Sequence, residues 1–87
     1  MIMKVKFFGV GQEPCYKDID NTLEAMQSLV NGYIEMVFIG NDNCIVCNEE
    51  GRINGMPYNR VCEGYDIYGD FFIVGVDDEG DCTDIHE

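Results

Sequence analysis

Five cysteines and one histidine are the residues of this 87-residue chain that could ligate a soft metal. Cys44 and Cys47 stand as Cys-x-x-Cys, with Cys62, Cys82 and His86 further along, enough thiolate and imidazole for a tetrahedral zinc site. Cys15 lies apart, near the N-terminus. Zinc knuckles usually place turn residues between and after the paired thiolates, whereas Ile45 and Val46 separate these two. In a regular strand, residues three apart point to opposite faces, so Cys44 and Cys47 share a metal only if the chain turns between them. The competing reading, which we prefer, is that reduced cysteines fill the core as small hydrophobes. Apart from that zinc site, no cofactor is expected.

Catalytic chemistry finds little to work with. The one serine, Ser28, falls inside a predicted helix, and the one histidine, His86, is the penultimate residue. A nucleophile and its base must be fixed within hydrogen-bond reach, which a terminal histidine does not offer. Carboxylate pairs are abundant, but 17 acids in a chain this short fall next to one another by chance. The chain is not expected to be an enzyme. Asp77-Asp78-Glu79-Gly80-Asp81 resembles part of a calcium loop, yet lacks the alternating acids and distal Glu of an EF-hand.

The carboxylates matter more through their number. Seventeen acids against five Lys and Arg give a net charge of −12. Residues 1–40 hold five acids and three lysines, whereas residues 41–87 hold twelve acids against Arg52 and Arg60 alone. Five basic residues make no footprint for nucleic acid. A sponge for a signalling nucleotide is disfavoured for the same reason, although Arg52 and Arg60 could serve one phosphate. Duplex DNA carries one negative charge per roughly 1.7 Å of axis, and a small domain with so acidic a half can imitate part of that density. Its partner would be a basic, nucleic-acid-handling protein, drawn in by long-range attraction. The residues that could carry this contact are Asp42, Glu49, Glu50, Glu63, Asp66, Asp77, Asp78, Glu79 and Asp81. The alternative is acidity for solubility, with a solvated tail from about residue 77.

These groups need a frame. Met3–Val10 alternates as a strand and Cys15–Ile19 can return beside it as a hairpin. A helix is predicted over Thr22–Asn31, with Asn21 as its cap, Glu24 reaching back, and Gly32 at its end. Leu23, Met26, Leu29 and Val30 would face a sheet. Tyr33–Ile39, Cys44–Cys47 and Asp70–Val76 read as strands, the last apolar on both faces and therefore central. Gly40–Asn43 and Asn48–Gly51 read as turns. Residues 52–69 read as irregular, with one helical turn at Arg60–Glu63. The expectation is a single α+β domain: a mostly antiparallel sheet of about five strands, one short helix on one face, and Tyr33, Tyr58, Tyr65 and Tyr68 towards the other. No run approaches the roughly 20 apolar residues of a membrane span, and the start does not read as a signal peptide, so a cytoplasmic protein with no membrane contact is expected.

Cys47-Asn48-Glu49-Glu50-Gly51, Asn59-Arg60 and Gly69-Asp70-Phe71-Phe72-Ile73-Val74-Gly75, preceded by Asn21–Glu35, together resemble a family of small acidic proteins of unknown function from phages, plasmids and conjugative elements. Within that pattern Cys47 is the one shared cysteine. The resemblance implies a bacterial host cell and a role in countering host defence, as anti-CRISPR and anti-restriction proteins have. The resulting expectation is an anti-CRISPR-like inhibitor that covers a basic nucleic-acid-binding surface of a Cas9-type nuclease. The alternative is a small zinc-stabilised interaction module.

Overall fold

Met3, Val5 and Phe7 alternate with Lys4 and Lys6, and a strand so patterned buries only one face. In the computed structural model, which describes residues 1–87, this strand is β1 (Ile2–Phe8), paired antiparallel with β2 (Cys15–Asp20). Helix α1 (Leu23–Val30) follows, then β3 (Ile34–Gly40), β4 (Asn43–Asn48), β5 (Tyr58–Cys62), β6 (Tyr65–Tyr68), β7 (Phe71–Val76) and β8 (Cys82–Thr83). The main sheet runs β2-β1-β7-β4-β3, and β8 joins it by pairing with β7 at Gly75 and Val76, beyond the stretch that pairs with β1. β5 and β6 form a separate hairpin. The architecture is α+β with one helix and antiparallel pairing throughout, and it holds six strands plus two where about five were expected.

The additional strands lie where the sequence reads as irregular. Glu63 and Gly64 both adopt positive φ, 50° and 83°, which lets a two-residue turn reverse the chain between β5 and β6. Arg60–Glu63 therefore forms no helical turn. The hairpin seals the sheet face that the helix leaves open. Ile67 of β6 is buried there against Phe8, Ile45, Cys47 and Phe71, and Phe8 stacks on Phe71 with ring centroids 4.6 Å apart. Asn59 fixes the hairpin by donating to the carbonyls of Phe8 and Gly69, at 2.9 and 2.8 Å.

On the opposite face, Met26 and Val30 of α1 pack on Met3, Val5, Val46, Phe72 and Val74. Leu29 joins at the margin, but Leu23 is half exposed and does not face the sheet as expected. The helix begins one residue later than the predicted cap. Thr22 is the cap, its hydroxyl accepting from Ala25 N, while the Asn21 amide is spent on the Cys82 carbonyl. At the other end Asn31, at φ 61°, takes the left-handed position expected of Gly32.

The C-terminal segment is largely exposed but bonded to the sheet. After β8, Asp84 accepts from Lys4 N and Ile85 N donates to the Lys4 carbonyl. His86 exchanges two hydrogen bonds with the Asn43 side chain, and the Tyr16 hydroxyl donates to the Glu87 carboxylate. The segment crosses β7 at Gly75, where an added Cβ would collide with the Asp84 carbonyl. It is a strap across the sheet, reachable only because Gly75 has no side chain.

Candidate functional site

The structure separates the cysteines by face. Adjacent positions along β4 alternate, so Cys44 joins the helix-side core with Cys82 at its margin. Cys47 joins the hairpin-side core with Cys62 at its margin. Cys15 is exposed on β2. His86 is exposed at the strap, and no group of three His, Cys, Asp or Glu side chains is placed to hold a metal. The zinc set Cys44, Cys47, Cys62, Cys82 and His86 is thus not brought together, because two sheet faces divide it. Burial pushes the Cys44 thiol up to about 12 and the Cys47 thiol up to about 11. Cys62 and Cys82 are raised as well, again mainly by burial.

All nine candidate acids are exposed. They do not form one surface. Asp42 lies in the tight turn from β3 to β4, where Asn41 and Asp42 both adopt positive φ. Asp77 and Asp78 lie at the end of β7. The turn and this strand end meet, because Val76 N donates to the Asp42 carbonyl at 2.7 Å. Asp42, Asp77 and Asp78 consequently line one open groove with Phe38, a ring left 65% exposed. Asp77 has a structural duty too: its Oδ1 accepts from Glu79 N and Asp81 N, both at 2.9 Å, and so shapes the loop that presents Glu79 and Asp81.

A second group gathers between the sheet and the hairpin. Glu49 and Asp66 share a groove of about 200 Å³ with Glu35, Tyr65 and Tyr68. Arg52 lies at its margin, its guanidinium carbon 5.8 Å from the centre of the Tyr68 ring. Glu50 caps the turn after β4, its N–H donating to the Asn48 side chain. Glu63 stands apart, near Lys6 and His86.

The other basic residues are tied up elsewhere. Arg60 donates to the carbonyls of Gly9 and Gln12 and stacks over Phe8, which anchors the β1–β2 loop. Lys4 and Lys6 lie over Tyr16, and Lys17 over Phe7. Positive charge is concentrated on β1 and β2, at one side of the sheet, while the acid grooves flank β3 at the other.

Phe38 and Glu35 belong to these grooves and were not singled out by sequence. The alternation of β3 carried the signal, but an apolar strand reads alike at the edge or centre of a sheet. No helix is long and apolar enough to cross a membrane. No curated protein and no solved structure matches the chain. A family model described as a domain of unknown function, DUF3846, matches residues 3–87, nearly the whole chain, and the protein therefore belongs to that family.

Proposed function

We propose that the protein is an anti-defence factor of a mobile element, an anti-CRISPR-like inhibitor that binds a basic nucleic-acid-binding surface of a Cas9-type nuclease in the host cytoplasm. The observation that carries this reading is the placement of exposed carboxylates in two grooves on either side of β3, with Arg52 the one basic residue beside them. Nucleic acid in such effectors lies in positively charged channels, and arginines read the short flanking motif. A rigid sheet that holds carboxylates a few residues apart offers those arginines an alternative to phosphate. Phe38 adds a ring face over which a guanidinium or ammonium group is attracted. The mechanism is occupation of the groove, with no bond made or broken, so the protein acts as a stoichiometric inhibitor and not as an enzyme.

The test is competition. A nuclease–guide complex bound to labelled target DNA is titrated with the protein, and DNA release is followed by fluorescence anisotropy. Release that saturates at one protein per nuclease supports the reading. Undiminished DNA binding at a large molar excess, across several nucleases of this type, refutes it.

A further inference from the structure

The same region offers more than charge. β3 pairs with β4 on one side and ends the sheet on the other. Antiparallel pairs alternate between residues that exchange hydrogen bonds and residues whose N–H and C=O groups point away. Glu49 N donates to the Tyr33 carbonyl at 2.8 Å, and the register runs on from Ile34↔Asn48 to Phe38↔Cys44. The odd-numbered residues therefore bond to β4, while Ile34, Met36 and Phe38 present their N–H and C=O groups outward. Exposed edges are usually blunted by Lys, Pro, a bulge or a covering element. β3 contains neither Lys nor Pro, and its irregularity comes only after Phe38.

We propose that the β3 edge receives an extended basic segment of the target protein as an added strand. The inference rests on the reading of a basic partner given above and names how that partner is held. Charge selects the occupant. Glu35, Glu49 and Asp66 lie beside one part of the edge, and Phe38 with Asp42 and Asp77 beside the other. A second copy of this chain would bring its own net charge of −12 against the same acids, whereas a basic strand neutralises them.

The geometry also specifies a spacing. Val37 and Ile39 pack into the hairpin-side core and Ile34 and Met36 into the helix-side core. By the same alternation Glu35 points to the hairpin side and Phe38 to the helix side. Two basic residues meet both only if they lie on opposite faces of the added strand, three residues apart. A spacing of two or four puts both on one face.

The probe is a blocked six-residue peptide, Val-Lys-Val-Thr-Lys-Val, titrated into the isotope-labelled full chain and followed by amide exchange. The expected result is at least tenfold slower exchange at Ile34, Met36 and Phe38. N-methylation of one alternate set of peptide residues should abolish this protection, and methylation of the other set should leave it. A peptide with the lysines four apart should bind at least fivefold more weakly. Equal binding by both methylated peptides, or by both spacings, overturns the inference. So does edge protection that rises with protein concentration alone together with a dimer in sedimentation, since the occupant would then be a second copy.

The two readings fail separately. Nuclease inhibition that persists while the edge amides stay unprotected in the complex removes only the strand contact. Edge protection by the peptide without displacement of DNA from any nuclease removes only the target.

Discussion

The carboxamide of Asn43 and the backbone of His86 hold each other by two hydrogen bonds, Nδ2 to the His86 carbonyl at 2.7 Å and His86 N to Oδ1 at 2.9 Å. Forty-three residues separate the pair in sequence, so this contact fastens the chain terminus to the first residue of a central strand. It also fixes one end of the turn that carries Asp42. The acidic groove around Phe38 therefore depends on a strap that has no carboxylate of its own in that groove.

Asn43→Ala should destabilise the protein by about 1–3 kcal/mol, because it removes both bonds and leaves strap backbone groups without partners. Urea unfolding measures the loss. Asn43→Asp keeps the acceptor for His86 N but sets a buried carboxylate oxygen against the His86 carbonyl, and should lose at least as much. A solvated tail would make both variants indistinguishable from the parent.

Gly75→Ala tests the crossing itself. The added Cβ has no space beneath the Asp84 carbonyl, so the strap must lift. Overpacking of this kind typically costs about 1–3 kcal/mol. Limited proteolysis should cut after Thr83 in the variant before the rest of the chain is touched, and should spare the parent.

Alkaline pH should weaken the fold through its buried thiols. Cys44 is raised from an ordinary value of 9.0 to about 12, and Cys47 to about 11, in both cases mainly because burial disfavours the thiolate. The folded state then keeps protons that the unfolded state releases. The stabilisation is complete below pH 9 and is lost as pH rises through 11 to 12. Cys44→Ala should flatten this decline in melting temperature. At neutral pH, Cys15 should react first with a thiol reagent, since it alone is exposed. A chelator in excess should leave the melting temperature unchanged, as the thiols lie on two faces.

Capping offers a direct comparison between neighbours. Thr22→Ala removes the bond to Ala25 N and should cost about 1 kcal/mol, the usual loss of an N-cap. Asn21→Ala should act instead by freeing β8, whose Cys82 carbonyl accepts from it. Exchange of the Gly75 and Thr83 amides, the pair that bonds across β7 and β8, should rise only in the second variant.

These elements show what local pattern reveals and where it stops. The alternation of β1, the apolar run of β7 and the helical repeat of Met26, Leu29 and Val30 depend on neighbours in sequence, and each element lies where the pattern puts it. The cap assignment failed because Asn21 and Thr22 are equally able acceptors, and a residue 61 positions away decides between them. The β5–β6 hairpin was hidden because its turn rests on Glu63 at positive φ, a conformation that glutamate seldom signals. The strap's attachment has no local signal, because its charge suggests solvent while bonds to Lys4 and Asn43, distant in sequence, hold it. Of the site, the acids were legible by type. Their grouping was not, since the order of strands in a sheet is set by pairing across the whole chain. The exposure of Phe38 follows from β3 being at the edge, which no local pattern encodes.

The central claim is that exposed carboxylates carry the contact with a basic nucleic-acid-binding surface. Asp42→Asn, Asp78→Asn, Glu79→Gln and Asp81→Asn combined in one variant test it most directly, because they leave in place the Asp77 carboxylate that shapes the loop. A single exposed pair contributes roughly 0–1 kcal/mol, so only a joint change should register. Displacement of DNA from a Cas9-type nuclease is titrated for the parent and the variant at low salt and at tenfold higher salt. Exposed charges are screened over about 8 Å at physiological ionic strength. The account predicts that the parent loses potency by at least tenfold at high salt and that the folded variant is weak at both. Equal potency of parent and variant, unchanged by salt, would contradict it.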